Sequence, residues 1–118
     1  MSRTLRQGVM RITHRIIAAI DATDVTRARF VAKALTGHVD ALKVNWPLVL
    51  AAGPGILREF ASSSYVLGDF KIADIPNTNR LIVEQAVAHG ASGVICHAFA
   101  GEDSVRACVE AAKGADVF

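Results

Sequence analysis

The sequence predicts an α/β fold built from parallel strand–helix units, and three observations carry that prediction. Short apolar runs alternate with longer amphipathic segments four times along the chain. The first run, Ile16-Ile17-Ala18-Ala19-Ile20, is continuous, which marks a strand covered on both faces. Polar residues close successive runs at Asp21, Lys43, Lys71 and His97, separated by 22, 28 and 26 residues, the length of one strand–helix unit. With 118 residues, 52% hydrophobic and 20% charged, the chain is sized for one domain and is too apolar for intrinsic disorder.

Each element has its own signature. After the first strand, Asp24 or Thr26 can cap a helix running to about Leu35, and Gly37 stops it. Val39 to Val44 reads as the second strand. A helix follows from about Pro47 to Phe60, interrupted at Gly53-Pro54-Gly55. Tyr65 to Ile72 is the third strand. Asn77 to His89 has helical spacing: Ile82, Val83, Ala86 and Val87 share a face, Glu84 and Gln85 point away, and Gly90 ends it. Ser92 to Ala98 carries the fourth strand. Glu102 to Lys113 is the last helix, with Val105, Cys108, Val109 and Ala112 turned inward, and Gly114 closes it. Ala115-Asp116-Val117-Phe118 begins a fifth strand.

Four such units with right-handed crossovers, plus a fifth strand begun, amount to half of a TIM (β/α)8 barrel, which takes about 250 residues. The expected organisation is a single domain over residues 1–118, the N-terminal half of a barrel, with residues 1–13 as a helix or arm. An unpaired strand edge invites association, so a homodimer or higher oligomer is expected.

Composition narrows the function classes. A net charge of +2 and 6% aromatic residues provide no nucleic-acid-binding stripe. Arg3, Arg6, Arg11 and Arg15 read instead as a solvated N-terminal segment. No apolar run approaches the ~20 residues of a membrane helix, and Met1 to His14 lacks the apolar centre of a secretory signal. Cys96 and Cys108 sit in apolar surroundings without metal-ligand spacing and read as reduced core thiols of a cytoplasmic protein.

In a barrel of this kind, functional groups stand at the carboxyl ends of the strands. Asp21 in that position serves equally as a cap, a solvated turn or a binding group. Lys43 lies between Leu42 and Val44, where an unpaired ammonium costs several kcal/mol, so a carboxylate partner is expected. The richest segment runs from Gly68 to Asn79. Strand alternation puts Asp69 and Lys71 on one face, toward the mouth, with Asp74 in the loop beyond. Carboxylates interleaved with ammoniums in a low-dielectric mouth shift one another's protonation equilibria, an arrangement common to catalytic sites and to structural ion-pair networks. His97 reads as a hydrogen-bonded structural residue, Glu102-Asp103-Ser104 as capping residues, and Trp46 as a packing residue near the site.

Asp69-Phe70-Lys71-Ile72-Ala73-Asp74-Ile75-Pro76-Asn77-Thr78-Asn79 closely resembles the Asp-x-Lys-x-x-Asp-Ile-Pro-x-Thr signature of the orotidine 5′-monophosphate decarboxylases, in their archaeal-type form. The resemblance extends to Ile20-Asp21, to Leu42-Lys43-Val44 with Pro47-Leu48-Val49, and to His97-Ala98-Phe99-Ala100-Gly101 with Asp103-Ser104-Val105. It implies a decarboxylase without metal or cofactor, converting orotidine 5′-monophosphate to uridine 5′-monophosphate in pyrimidine nucleotide synthesis. Its catalytic residues would be Lys71, Asp69, Asp74 and Lys43, and its substrate-binding residues Asp21, Lys43, Ile75 and Thr78, with no metal ligand. Lys71 would protonate C6 of the pyrimidine, Asp69 would lie against the substrate carboxylate, and Lys43 and Asp21 would meet the ribose. The loop carrying Asp74, Ile75 and Thr78 would cross a dimer interface and complete the partner's site. Family members grip the substrate phosphate after later strands that are not in these residues. The isolated chain is therefore expected to be a crippled catalyst, or part of a competent one.

Two other readings stand beside this one. The first is a non-catalytic half barrel serving as an assembly module. The second is a suprafamily sugar-phosphate decarboxylase, for instance on 3-keto-L-gulonate 6-phosphate, which uses magnesium. Ile75-Pro76 departs from that sibling's pattern.

Overall fold

The computed structural model describes residues 9–118. Five strands form one sheet in sequential order: β1 (Ile17–Ile20), β2 (Ala41–Asn45), β3 (Val66–Ile72), β4 (Gly93–Cys96) and β5 (Asp116–Val117). Every neighbouring pair is parallel. Helices α1 (Val25–Leu35), α2 (Trp46–Ala52), α3 (Gly55–Ala61), α4 (Pro76–Ala88) and α5 (Glu102–Ala112) make the crossovers, and a single 3₁₀ turn, Ala98–Ala100, follows β4. Parallel strands that neighbour in chain order, each joined through helix, are the construction of a (β/α)8 barrel, of which these units make half.

Alternation along the strands sorts the two faces. Leu42, Val44, Val66 and Val94 point to the helices and are completely buried or nearly so against Leu48, Leu57, Val83 and Cys108. Ala41, Tyr65 and Leu67, of opposite parity, form a smaller cluster with Met10 and Ile95 on the face a closed barrel turns inward. Burial within the helix layer, with Cys96 alongside, pushes the Cys108 thiol up to about 11.

The punctuation behaves as chemistry requires, with some differences. Asp24 is the cap of α1, its carboxylate accepting the Arg27 N–H at 3.0 Å. The interrupted second helix is two helices, parted at Gly53, whose φ of +83° suits glycine. The first begins at Trp46, one residue before the expected proline, because the Asn45 side chain caps it by accepting the Trp46 N–H at 2.6 Å. On α5 the inward row is Ser104, Cys108, Ala111 and Ala112, positions four, three and one residues apart on one stripe. Val109 lies one step around the helix and is 54% exposed, contrary to the expected inward placement. Glu102, Asp103 and Ser104 give α5 no side-chain cap: Gly101 stands at the N-cap, and Glu102 pairs with Arg106 instead.

Of the expected N-terminal helix or arm, residues 1–8, including Arg3 and Arg6, lie outside the described residues, and residues 9–13 contain no helix. The chain there is tied to the sheet by Asp40, whose carboxylate accepts the N–H groups of Thr13 (2.9 Å), His14 (2.9 Å) and Arg15 (2.7 Å). Those donors, the His14 N–H first among them, hold the Asp40 carboxyl below its usual range. At the far edge, the Tyr65 hydroxyl donates to Asp116 Oδ2 at 2.6 Å and lies over Gly93, where a Cβ would come within 2.4 Å of it. Only glycine leaves room for that tether.

Candidate active site

The carboxyl end of β3 gathers the charges. Asp69 is 3% exposed, and both lysine ammoniums reach its Oδ2, Lys71 at 2.8 Å and Lys43 at 3.4 Å. The β2–β3 register, with Asn45 beside Asp69, brings Lys43 onto the same face one pair back. The carboxylate partner expected for Lys43 is thus Asp69. A buried carboxylate is tolerable only when paired and hydrogen-bonded, and here two cations share one oxygen. The other oxygen, Oδ1, is buried and has no hydrogen-bond partner among the described residues. Such an atom carries a desolvation penalty of about 1–3 kcal/mol until something donates to it.

Lys71 reaches Asp69 by a route that simple alternation does not describe. Its φ is +49°, in the left-handed region, which costs an L-residue roughly 1–2 kcal/mol. The β3–β4 pairing slips at this point. Gly68 opposes Val94 and Ile72 opposes Cys96, so three residues of β3 face only Ile95. The His97 N–H accordingly donates to the Ile72 carbonyl, at 2.9 Å. Phe70, the middle residue of the slip, folds its ring over Gly68, where an added Cβ would sit 2.8 Å from it. Trp46 packs on that ring, centroids 4.9 Å apart, and its indole N–H donates to the Phe70 carbonyl at 3.1 Å.

Asp74 is not part of this cluster. It is exposed, and its carboxylate accepts the adjacent Ile75 N–H at 2.7 Å. Its backbone is clamped on both sides: the N–H donates to Asn79 Oδ1 (2.9 Å) and the carbonyl accepts the Ser104 hydroxyl (2.8 Å). The Asn79 amide in turn donates to Ser104 Oγ (2.6 Å) and Ser104 O (3.0 Å). Ile75 is 65% exposed and Thr78 is half-buried, lining with Trp46, Phe70 and Ile82 an apolar cavity of about 330 Å³ on the helix side of the sheet. The structure therefore brings Lys43, Asp69 and Lys71 together, leaves Asp74 and Ile75 exposed, and places Thr78 at the apolar cavity, apart from the cluster. The sequence reading quotes Asn79 without giving it a role and takes Ser104 as a capping residue; their shared buried network is not foreseen there. Asn79 falls on the buried stripe of α4 with Val83 and Ala86, and a polar residue there signals a satisfied network.

Asp21 directly follows β1, exposed, at the sheet end shared by Asn45 and Asp69. It has no hydrogen-bond or ion-pair partner among the described residues. The His97 ring, expected to be hydrogen-bonded, instead meets the edge of Phe99 at 5.2 Å. Among the described residues no three His, Cys, Asp or Glu side chains converge as metal ligands would, and no helix is long and apolar enough to cross a membrane.

Parallel strand–helix units in sequential strand order define half of a (β/α)-barrel protein, with lysines and a buried carboxylate gathered at the strand ends. The chain belongs to the orotidine 5′-phosphate decarboxylase / HUMPS family, whose profile matches residues 14–117. The orotidine 5′-phosphate decarboxylase of Methanosarcina acetivorans is 50% identical over 98 residues, covering 83% of this chain and 44% of that protein. That of Thermoplasma acidophilum is 48% identical over 104 residues, covering 88% and 49%. Among solved structures, orotidine 5′-monophosphate decarboxylase from Methanocaldococcus jannaschii complexed with inhibitor BMP superposes with a TM-score of 0.83 at 40% identity, over 86% of this chain and 49% of that one. The Pyrococcus horikoshii OT3 enzyme gives 0.77 at 41%, over 80% and 47%. The chain spans about half the length of the relatives it matches.

Proposed function

We propose that this chain supplies the proton-donating half of an orotidine 5′-monophosphate decarboxylase barrel. The observation that carries the reading is Asp69, buried at the mouth beside two lysines, with one oxygen committed to both and the other buried without a partner among the described residues. In the reaction the C6–carboxylate bond breaks, carbon dioxide leaves, and the electron pair stays on C6. The Lys71 ammonium gives its proton to that carbon, forming the C–H bond of uridine 5′-monophosphate, and the resulting amine regains a proton from solvent. Before transfer, the same ammonium stabilises the developing charge without reorganising, usually the largest catalytic contribution. Asp69 holds Lys71 in line and lies against the departing carboxylate, and Lys43 anchors Asp69 and a ribose hydroxyl. Asp21 accepts from the ribose. Asp74 and Ile75, both exposed, complete the site of a second copy together with Thr78, so the working form is at least a dimer.

The substrate phosphate is gripped by groups outside the residues assigned here, and remote binding of that kind normally carries much of the transition-state stabilisation. The test is turnover of orotidine 5′-monophosphate by the chain alone and by the chain mixed with the second half of a related barrel, each with and without chelator. Turnover in the mixture, insensitive to chelator, is the expected result. Turnover of a sugar phosphate that needs magnesium would replace this reading with the sibling activity.

A further inference from the structure

We infer that Trp46 is a positioning residue for Lys71, acting through the peptide that joins Phe70 to Lys71. Three observations converge on that peptide. The slip in the β3–β4 register passes the His97 donor on to the Ile72 carbonyl, and the Phe70 carbonyl receives the indole N–H of Trp46 at 3.1 Å. The same peptide leads into Lys71, whose φ of +49° persists only if its surroundings over-determine it. The Trp46 ring also packs on the Phe70 ring, which Gly68 seats from beneath. Relaxing Lys71 to a negative φ requires that peptide plane to turn, and turning it breaks the indole hydrogen bond. Trp46 itself is fixed as the first residue of α2 by the Asn45 cap. The start of α2 thus sets the backbone that presents the Lys71 ammonium to Asp69.

That Lys71 is the proton donor rests on the function proposed above; that Trp46 fixes its backbone does not. The two are tested separately. Trp46 is the single tryptophan of the chain, so growth on benzothienylalanine replaces it alone with an isostere lacking the N–H. Two measurements on the 118-residue chain read the result. One is the intraresidue amide–Hα cross-peak of Lys71, strong at positive φ. The other is the rate at which a limiting amine reagent labels Lys71 relative to exposed Lys33 and Lys113, with the buried Cys108 thiol reporting any general opening. The expected outcome is a weakened cross-peak and Lys71 labelling faster by about two- to fivefold, the range a half-exposed ion pair supports, with Cys108 still protected. The Trp46→Phe variant, which also lacks the donor, should show the same pattern. An unchanged Lys71 overturns the inference, as does exposure of Lys71 and Cys108 together, which would make the indole a prop of the fold. If Lys71 responds as expected but no preparation turns over orotidine 5′-monophosphate, the positioning stands and the proposed reaction falls.

Discussion

At the scale of single residues, the proposed site turns on one ammonium and one carboxylate. Lys71→Ala, introduced where a complete barrel turns over substrate, should lower kcat by more than the roughly 10²–10⁴ of a proton-transfer residue, because a fixed charge is lost too. Single-turnover kinetics would measure it, and survival of a tenth of the wild-type rate would remove Lys71 from the mechanism. Lys43 was legible in the sequence because a charge inside an apolar run must have a partner, and alternation along β3 puts Asp69 and Lys71 on one face; that the partner is Asp69 needed the β2–β3 register. The strain at Lys71 was not legible. Phe70 and Ile72 are both apolar and satisfy the slipped and the regular register alike, so no residue announces the slip. Asp74, Ile75 and Thr78 could be quoted from the motif, but what they would meet in the proposed dimer depends on a second molecule.

At the scale of elements, strand and helix limits were readable to within a residue or two wherever glycine, proline or a capping side chain marks them. Gly37, Gly90 and Gly114 all adopt positive φ beyond the ends of α1, α4 and α5. The 3₁₀ turn at Ala98–Ala100 went unread because Ala-Phe-Ala carries no such mark. The segment before β1 depends on Asp40, which accepts three backbone N–H groups and has a folded pKa below its unfolded one. Its contribution to stability is therefore present above the unfolded value of about 4 and lost as pH falls through the folded value. Asp40→Asn should lower the urea midpoint at pH 7, and the gap to wild type should close as pH drops below about 4. A gap independent of pH would mean that the charge of Asp40 is irrelevant to the tether. Asn79→Ala belongs to this scale also. It strips the Asp74 N–H and the Ser104 hydroxyl of a buried partner, a loss of about 1–3 kcal/mol in urea unfolding, concentrated in the α4–α5 packing.

At the scale of the whole molecule, the sheet has two lateral edges, β1 and β5, and an inner face only partly covered. Ile16, Ile17 and Phe118 are 51%, 46% and 53% exposed. A second copy related by a two-fold axis along the barrel keeps all strands parallel and joins each edge to the other, and a complementary half barrel does the same. Sedimentation at micromolar concentration should therefore find no 12.5 kDa species, and a cooperatively folding monomer would refute closure by association. The sequence could show that edges exist; a chain of half a barrel carries no mark of which partner covers them. Whatever closes the ring, the lone indole stands one hydrogen bond from the backbone of the candidate proton donor. All tryptophan emission from these 118 residues therefore originates beside that backbone. If a nucleotide binds against Lys71 as proposed, the colour or intensity of that light should change, with no label added.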